Sequence, residues 1–275
     1  MHPEVLHVGF VHLRSYGLMM AVAFVVGTFL ALREARRLSL DEDKVVNVIL
    51  VTLVASVLGA RMLYVLEHIP EFRREWTSAL ALWQGGLTLY GGVAAGTFAG
   101  LVAAKRMNLP MWITADALTP AFALGTMFGR IGCFLNGCCY GRPTDLPWGV
   151  VFPHDSFAFL EFGDQPVHPS QLYNAAAGLG LFVLFQLLRG RFRVPGVMFW
   201  TFIVFFSLLR IPLDLTRAYE ADAVLLRIGV ADVTESQLMS LGLILFGVLM
   251  ILRLRRAAPQ RRPTPGPAPA DAAAP

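Results

Sequence analysis

The sequence predicts an all-α protein, a polytopic helix bundle built into a membrane, and three observations carry that prediction. Hydrophobic residues fill 56% of the 275 positions and charged residues only 15%, against roughly 25% charged in an average soluble domain. Twenty residues are Phe, too much apolar surface for so little charge to coat. The apolar residues are also gathered into runs, seven of which approach the roughly 20 helical residues that cross a hydrocarbon core of about 30 Å. This composition excludes a disordered chain for nearly the whole length, and three Cys are too few for a small disulfide scaffold.

The first run, Tyr16 to Leu32, carries no charge, and the second, Val45 to Leu66, is interrupted only by Asn47 and Arg61. The third extends from Leu87 to Ala104, with Gly92, Gly96 and Gly100 at the four-residue spacing that lets helix backbones approach closely. The fourth, Ile113 to about Ile131, holds Asp116 and repeats that spacing at Gly125 and Gly129. Leu172 to Leu188, Val194 to Leu209 and Gln237 to Leu252 complete the set. About seven transmembrane helices therefore form one domain over residues 1–256. Two connections are long, about 132–170 and 211–236, and connections of that length are more often functional than idle. Past Arg256 the chain reads AAPQRRPTPGPAPADAAAP; residues 257–275 are expected to be a disordered Pro/Ala-rich tail. No P-loop, dinucleotide fingerprint or G-x-S-x-G elbow occurs.

Orientation follows from the cations. Only Arg14 supplies a firm positive charge ahead of the first run, whereas Arg33, Arg36, Arg37 and Lys44 follow it, the reverse of a signal peptide. The first run is thus expected to be a retained helix with its N-terminus outside. Lys105 and Arg106, then Arg189, Arg191 and Arg193, then Arg253, Arg255, Arg256, Arg261 and Arg262 fall on the same side as the first four. By the positive-inside rule that side is cytoplasmic, and the C-terminus lies there. The net charge of +4 is accounted for by topology, so no nucleic-acid partner is expected.

With sides assigned, most of the polar residues near the spans gather on the outer half: Arg61, Arg130 and Arg210, with Tyr16, Tyr90, Gln237, His168, Ser170, Gln171 and Asp214, while only Asn47 and Asp116 fall inward. A charge within a span costs about 2.5–3.5 kcal/mol on insertion scales. One Arg at a helix end snorkels to its interface; three, with polar aromatics and a carboxylate on the same side, indicate a shared polar cavity. The planar guanidinium fork suits phosphate, and the phosphates nearest a bilayer helix belong to lipids. Cys133, Cys138 and Cys139 form a C-x4-C-C cluster. Three readings stand for it: small apolar packing, a disulfide, and a metal-binding or catalytic thiol. Without paired C-x2-C spacing or a nearby His, no metal is expected.

The segment Gly129 to Gly141, GRIGCFLNGCCYG, resembles the signature of the prolipoprotein diacylglyceryl transferases, bacterial inner-membrane enzymes. Ser15-Tyr16-Gly17, Gly59-Ala60-Arg61 with Tyr64, Gln84-Gly85-Gly86 before Tyr90-Gly91-Gly92, Asp116 to Pro120, His168 to Tyr173, Arg210 with Asp214, and Ser236-Gln237 look like the family's other blocks in the family's order, from about residue 15 to 253. The resemblance implies transfer of the diacylglyceryl group of phosphatidylglycerol to the lipobox cysteine of a preprolipoprotein, forming a thioether and releasing glycerol phosphate. It implies a monomer in the inner membrane, with the lipid and the lipobox peptide as partners and no cofactor. Arg130, Arg210 and Tyr90 stand at catalytic positions. Arg130, Tyr16, Arg61, Asn136, Gly141, Asp214 and Gln237 stand at substrate-binding ones.

The chain also departs from the pattern. Many members carry His where Tyr90 stands, and a phenol with pKa near 10 is a poor base at neutral pH. An Asn and a Glu of the signature are replaced by Cys133 and Cys138, the usual Glu after the histidine-proline block is Asn174, and Phe206 takes the place of a Tyr. The phosphate-binding arginines are kept, but the base is not identified. The alternative is a non-catalytic anionic-lipid transporter or scramblase, against which the scant polarity of the inner half argues.

Overall fold

The computed structural model describes residues 4–8, 11–73, 76–81, 85–154, 156–219, 224–228 and 231–257. Gln84 and all of the expected disordered tail but Ala257 lie outside the described residues. The principal helices are α1 (Ser15–Arg37), α2 (Glu42–Glu67), α3 (Ile69–Phe72), α4 (Leu89–Arg106), α5 (Met111–Asn136), α6 (Phe157–Phe162), α7 (Ser170–Leu188), α8 (Val197–Asp214) and α9 (Glu235–Arg256). Two short antiparallel hairpins decorate this helical architecture: β1 (Glu4–Val8) with β2 (Val11–Arg14), and β3 (Val224–Ile228) with β4 (Ala231–Thr234). Each hairpin runs directly into a helix, α1 or α9.

Among the described residues six helices are long and apolar enough to cross a membrane: α1, α2, α5, α7, α8 and α9. The expected count was seven. The helix that falls short is α4, whose 18 residues include Lys105 and Arg106 at the end and span roughly 27 Å at 1.5 Å per residue. The apolar faces of the helices are left open: Phe29, Phe98 and Leu187 are 66%, 72% and 77% exposed. A water-soluble bundle would bury such side chains, so the chain is a multi-pass membrane protein.

The described residues divide into two compact units, one made of those up to Ala31 with those from Leu118 onward, and the other of Leu32–Ala117. In the second, α2 and α4 run antiparallel and in close contact, because glycines line the seam. A Cβ on Gly91 would strike the Gly59 carbonyl oxygen, and one on Gly96 would strike the Ser56 hydroxyl. The spaced glycines of the third apolar run therefore serve packing, as their period indicates. Ala35, Val45, Val48, Ala103, Ala104 and Leu109 close one end of this unit, and Asp41 caps α2 by accepting from the Lys44 amide at 3.2 Å.

In the first unit, Ala123 on α5, Leu181 and Phe185 on α7, and Met198 and Phe202 on α8 form the apolar centre. Gly178 lets α7 approach the α5 backbone at Met127 and Ala123, and Gly247 does the same for α9 against Val204 and Trp200 of α8. The long connection after α5 is itself folded. Phe152, Ala158 and Val167 make a small core under it, and isolated bridges join Pro143 and Val150 to Val167 and Gly141 to Arg217.

Candidate active site

The first unit assembles its polar groups at the C-terminal ends of α5 and α8 and the N-terminal end of α9. Asp214, at the end of α8, is buried and acts as the hub. Its Oδ1 faces Arg210 Nε at 3.1 Å, one helical turn back, and accepts from the Tyr219 hydroxyl at 2.6 Å. Its Oδ2 accepts from Thr234 Oγ1 at 3.1 Å and Ser236 Oγ at 2.5 Å. Three hydroxyl donors and one guanidinium thus converge on this buried carboxylate. Those donors come from three places in the chain, so the carboxylate ties the end of α8 to the start of α9. There Thr234 and Gln237 form a capping box that satisfies the first turn of α9.

Arg210 is held in one orientation. Besides Asp214 it reaches Ser236 Oγ at 3.1 Å through Nε and Tyr219 OH at 3.3 Å through Nη2. Arg217 donates to the same hydroxyl at 3.1 Å, with its guanidinium 4.6 Å from the ring centroid of Tyr219. Burial, together with the hydrogen bond to Asp214, pushes the Tyr219 phenol above its ordinary pKa. Arg130 and Arg217 both lie close enough for their charges to act on Arg210. One carboxylate thus sits among three arginines, an arrangement that leaves an excess of positive charge for an anion. The Arg130 guanidinium has no hydrogen-bond or ion-pair partner among the described residues, and Arg217 Nε is buried without one.

Around this centre, Tyr16 at the start of α1 packs over Gly132, where a Cβ would meet its ring and backbone at 3.2–3.4 Å. Asn136 ends α5. Gly141 is required by space, since a Cβ there would lie 2.5 Å from both His168 and Ser170, and its amide bonds the His168 carbonyl at 3.0 Å. The fully buried Gln171 donates to the Cys138 carbonyl at 2.8 Å. The sulfur atoms of Cys133, Cys138 and Cys139 lie within 4.8 Å of one another, and all three are free thiols. Hydrogen bonds from the Cys133 and Cys138 thiols, reinforced by the charges of Arg217 and Arg130, hold the Cys139 thiol below its ordinary pKa despite burial. A cavity of about 370 Å³ opens beside them, lined by Cys138, Cys139, Tyr140, Arg217 and Tyr219 among others.

Comparison with known proteins decides the family. Residues 3–253 match the model of the prolipoprotein diacylglyceryl transferase family. The chain belongs to the prolipoprotein diacylglyceryl transferases. A phosphatidylglycerol–prolipoprotein diacylglyceryl transferase of Geobacter sulfurreducens is 34% identical over 258 residues, covering 92% of this chain and 95% of the relative. Relatives of the same name from Synechococcus elongatus and Allorhizobium ampelinum are 32% and 34% identical, covering 94% and 95% of this chain and 90% and 93% of theirs.

In this diacylglyceryl transferase, Arg130, Arg210, Asp214, Tyr16, Asn136, Gly141 and Gln237 all belong to the first unit, as do Arg217, Tyr219, Thr234 and Ser236, which the sequence did not single out as site residues. Arg217 had a signal, being a further cation on the outer side; Tyr219 had none beyond its place in a long connection. Tyr90 and Arg61 belong to the second unit. Tyr90, in the first turn of α4, is half exposed. Arg61 is buried and spends four of its five N–H groups on backbone. Its Nε bonds Ala79 O at 2.8 Å, Nη2 bonds Ser78 O at 2.6 Å, and Nη1 bonds Gly85 O and Gly86 O at 2.6 and 3.0 Å. The rings of Tyr64 and Phe72 flank it at 5.6 and 5.4 Å. Arg61 holds a loop closed; a cavity of about 240 Å³ lies beside it.

Proposed function

We propose that this protein transfers the diacylglyceryl group of phosphatidylglycerol to the lipobox cysteine of a preprolipoprotein, as a monomer in the bacterial inner membrane, with its N-terminus periplasmic and its C-terminus cytoplasmic. The names of its relatives supply the lipid and the prolipoprotein. The observation that carries the reading is Arg130, a guanidinium with no partner among the described residues, beside an Arg210 fixed by a buried carboxylate. Such a pair is available to an incoming phosphodiester.

The acceptor thiolate attacks the glyceryl carbon that bears the phosphate ester. The carbon–oxygen bond breaks, its electron pair leaves with glycerol phosphate, and the thioether forms. Negative charge grows on the departing phosphate, so a preorganised cation stabilises the transition state more than the ground state. Arg130 and Arg210 take that role. Asp214 and Gln237 set the geometry around Arg210, while Tyr16, Asn136 and Gly141 shape the wall that receives the lipid. Arg61 contributes by holding the loop that leads into α4, where Tyr90 stands at the position at which many members have His.

Seven crossings are part of the proposal. Gly91 meets Gly59 and Gly100 meets Thr52, so α4 runs back along the spanning helix α2 although it is short. That return brings Lys105 and Arg106 towards the end of α2 that carries Lys44, which supports the reading.

The test is transfer to a lipobox peptide by Arg130→Ala and Arg130→Lys proteins that insert and fold normally. Loss of one transition-state donor lowers kcat about 100- to 1,000-fold, and Lys does not restore the fork. Full activity in both variants would exclude the mechanism.

A further inference from the structure

The three cysteines at the end of α5 are not used by the phosphate-binding arginines, and their placement is more specific than packing requires. Cys133 lies in the last turn of the helix. The chain then reverses through Gly137 at φ 72° and Cys139 at φ 60°, a left-handed conformation that a residue with a Cβ rarely adopts. The reversal returns the Cys138 amide to the Cys133 carbonyl at 3.1 Å, and Gln171 pins it from α7. All three Sγ atoms end within 4.8 Å of one another. Three thiolates around one zinc ion, with Zn–S near 2.3 Å, lie about 3.8–4.0 Å apart, so closure needs movements of less than about 1 Å. The open fourth position of such a site has a place to face, the cavity of about 370 Å³ bordered by Cys138, Cys139, Arg217 and Tyr219.

We propose that Cys133, Cys138 and Cys139 bind a thiophilic divalent cation of the zinc class, and that the lipobox thiol becomes its fourth ligand and is alkylated there as a thiolate. This rests on the transferase reading given above. It supplies a means of deprotonating the acceptor, because thiols coordinated to zinc are deprotonated outright. The charges of Arg217 and Arg130 act on Cys139 and offset the anionic trithiolate. The step balances without oxidant or reductant. The thiol proton is released to solvent on coordination, the sulfur forms its bond to the glyceryl carbon, the carbon–oxygen bond gives its electron pair to glycerol phosphate, and the neutral thioether dissociates from the metal.

The experiment uses full-length protein purified in detergent without chelator. Elemental analysis is expected to find one zinc per chain. Cys133→Ser and Cys139→Ala proteins that keep the size-exclusion profile are expected to have lost it. Cobalt substitution is expected to give a thiolate-to-cobalt charge-transfer band that intensifies when a lipobox peptide is added. A free thiol with pKa near 8.5 is about 3% ionised at pH 7, so stripping the metal is expected to slow transfer about 30-fold at pH 7 and progressively less towards pH 9, with recovery on adding zinc. Three titratable thiols in metal-free, fully active protein would overturn the inference while leaving the transferase reading intact. So would a disulfide among the three cysteines, or zinc whose removal changes nothing. A metal-loaded protein with no transfer at any pH would count against the transferase reading as well, whereas retained zinc in an inactive Arg130→Ala protein supports both.

Discussion

Removing Asp214 is expected to unfasten the site and the protein together. Its side chain is completely shielded, and Arg210 is only 15% exposed, so solvent screens their attraction little. Asp214→Ala leaves Arg210 with like charges nearby and removes the acceptor for Tyr219, Thr234 and Ser236. Breaking a buried pair in this way costs about 3–5 kcal/mol, mostly for the charge left without a partner. At about 2–4 °C per kcal/mol for a chain of this size, the midpoint should fall by roughly 10 °C. Asp214→Asn should cost less, because the hydroxyls of Thr234 and Ser236 can rotate to accept from the amide; it removes the countercharge while keeping most of the bonds. Thermal denaturation in detergent, followed by size-exclusion fluorescence, gives the order wild type, Asn, Ala. The exposed pair of Arg36 and Glu42, 66% and 38% exposed, serves as the control and should be near neutral on removal. An Asp214→Ala protein as stable as wild type would refute the hub.

Tyr219 should give a pH signature. Its folded pKa is raised, so the neutral phenol contributes stability in full below the unfolded value near 10 and loses it as pH climbs through the folded one; alkaline melting curves of Tyr219→Phe should lack that component. Gly91→Ala should destabilise by about 1–3 kcal/mol through overpacking, since its Cβ meets Gly59 backbone and Leu63, whereas Gly125→Ala, with nothing within 4 Å, should be neutral in the same melting assay. Arg61→Lys should lose the fork that gathers four carbonyls and make the loop before α4 a site of early cleavage in limited proteolysis; unchanged cleavage would remove its role as the loop's clasp.

Much of the architecture was written in run lengths. The six strongest spans needed only about 20 apolar residues each, and the structure extends most of them by a few residues at the ends. The third run was ambiguous for a physical reason: its glycines bring it close to α2 but lower its hydropathy, and Lys105 and Arg106 shorten it. The hairpins escaped because their strands are too short for a period of two to stand out beside long helices. Within the site, Arg210 and Asp214 stand one turn apart and are legible as a pair. Their other partners, Tyr219, Thr234 and Ser236, arrive from a connection whose course no periodicity records. Arg61 was legible as an expensive charge but not as a loop clasp, because its partners are backbone carbonyls, which every sequence contains. The cysteine trio was visible as spacing only. Cys138 turns back on Cys133 through Gly137 at φ 72°, but the next positive φ falls on Cys139, a non-glycine position where sequence gives no warning.

The most direct measurement is mass spectrometry of a lipobox peptide incubated with the purified protein and phosphatidylglycerol in detergent. The expected result is a diacylglyceryl addition on the peptide cysteine with an equal amount of glycerol phosphate released, absent when the cysteine is replaced by serine and strongly reduced for Arg130→Ala. An unmodified peptide, from protein shown to be folded and to bind the lipid, would contradict the assignment of this site to diacylglyceryl transfer.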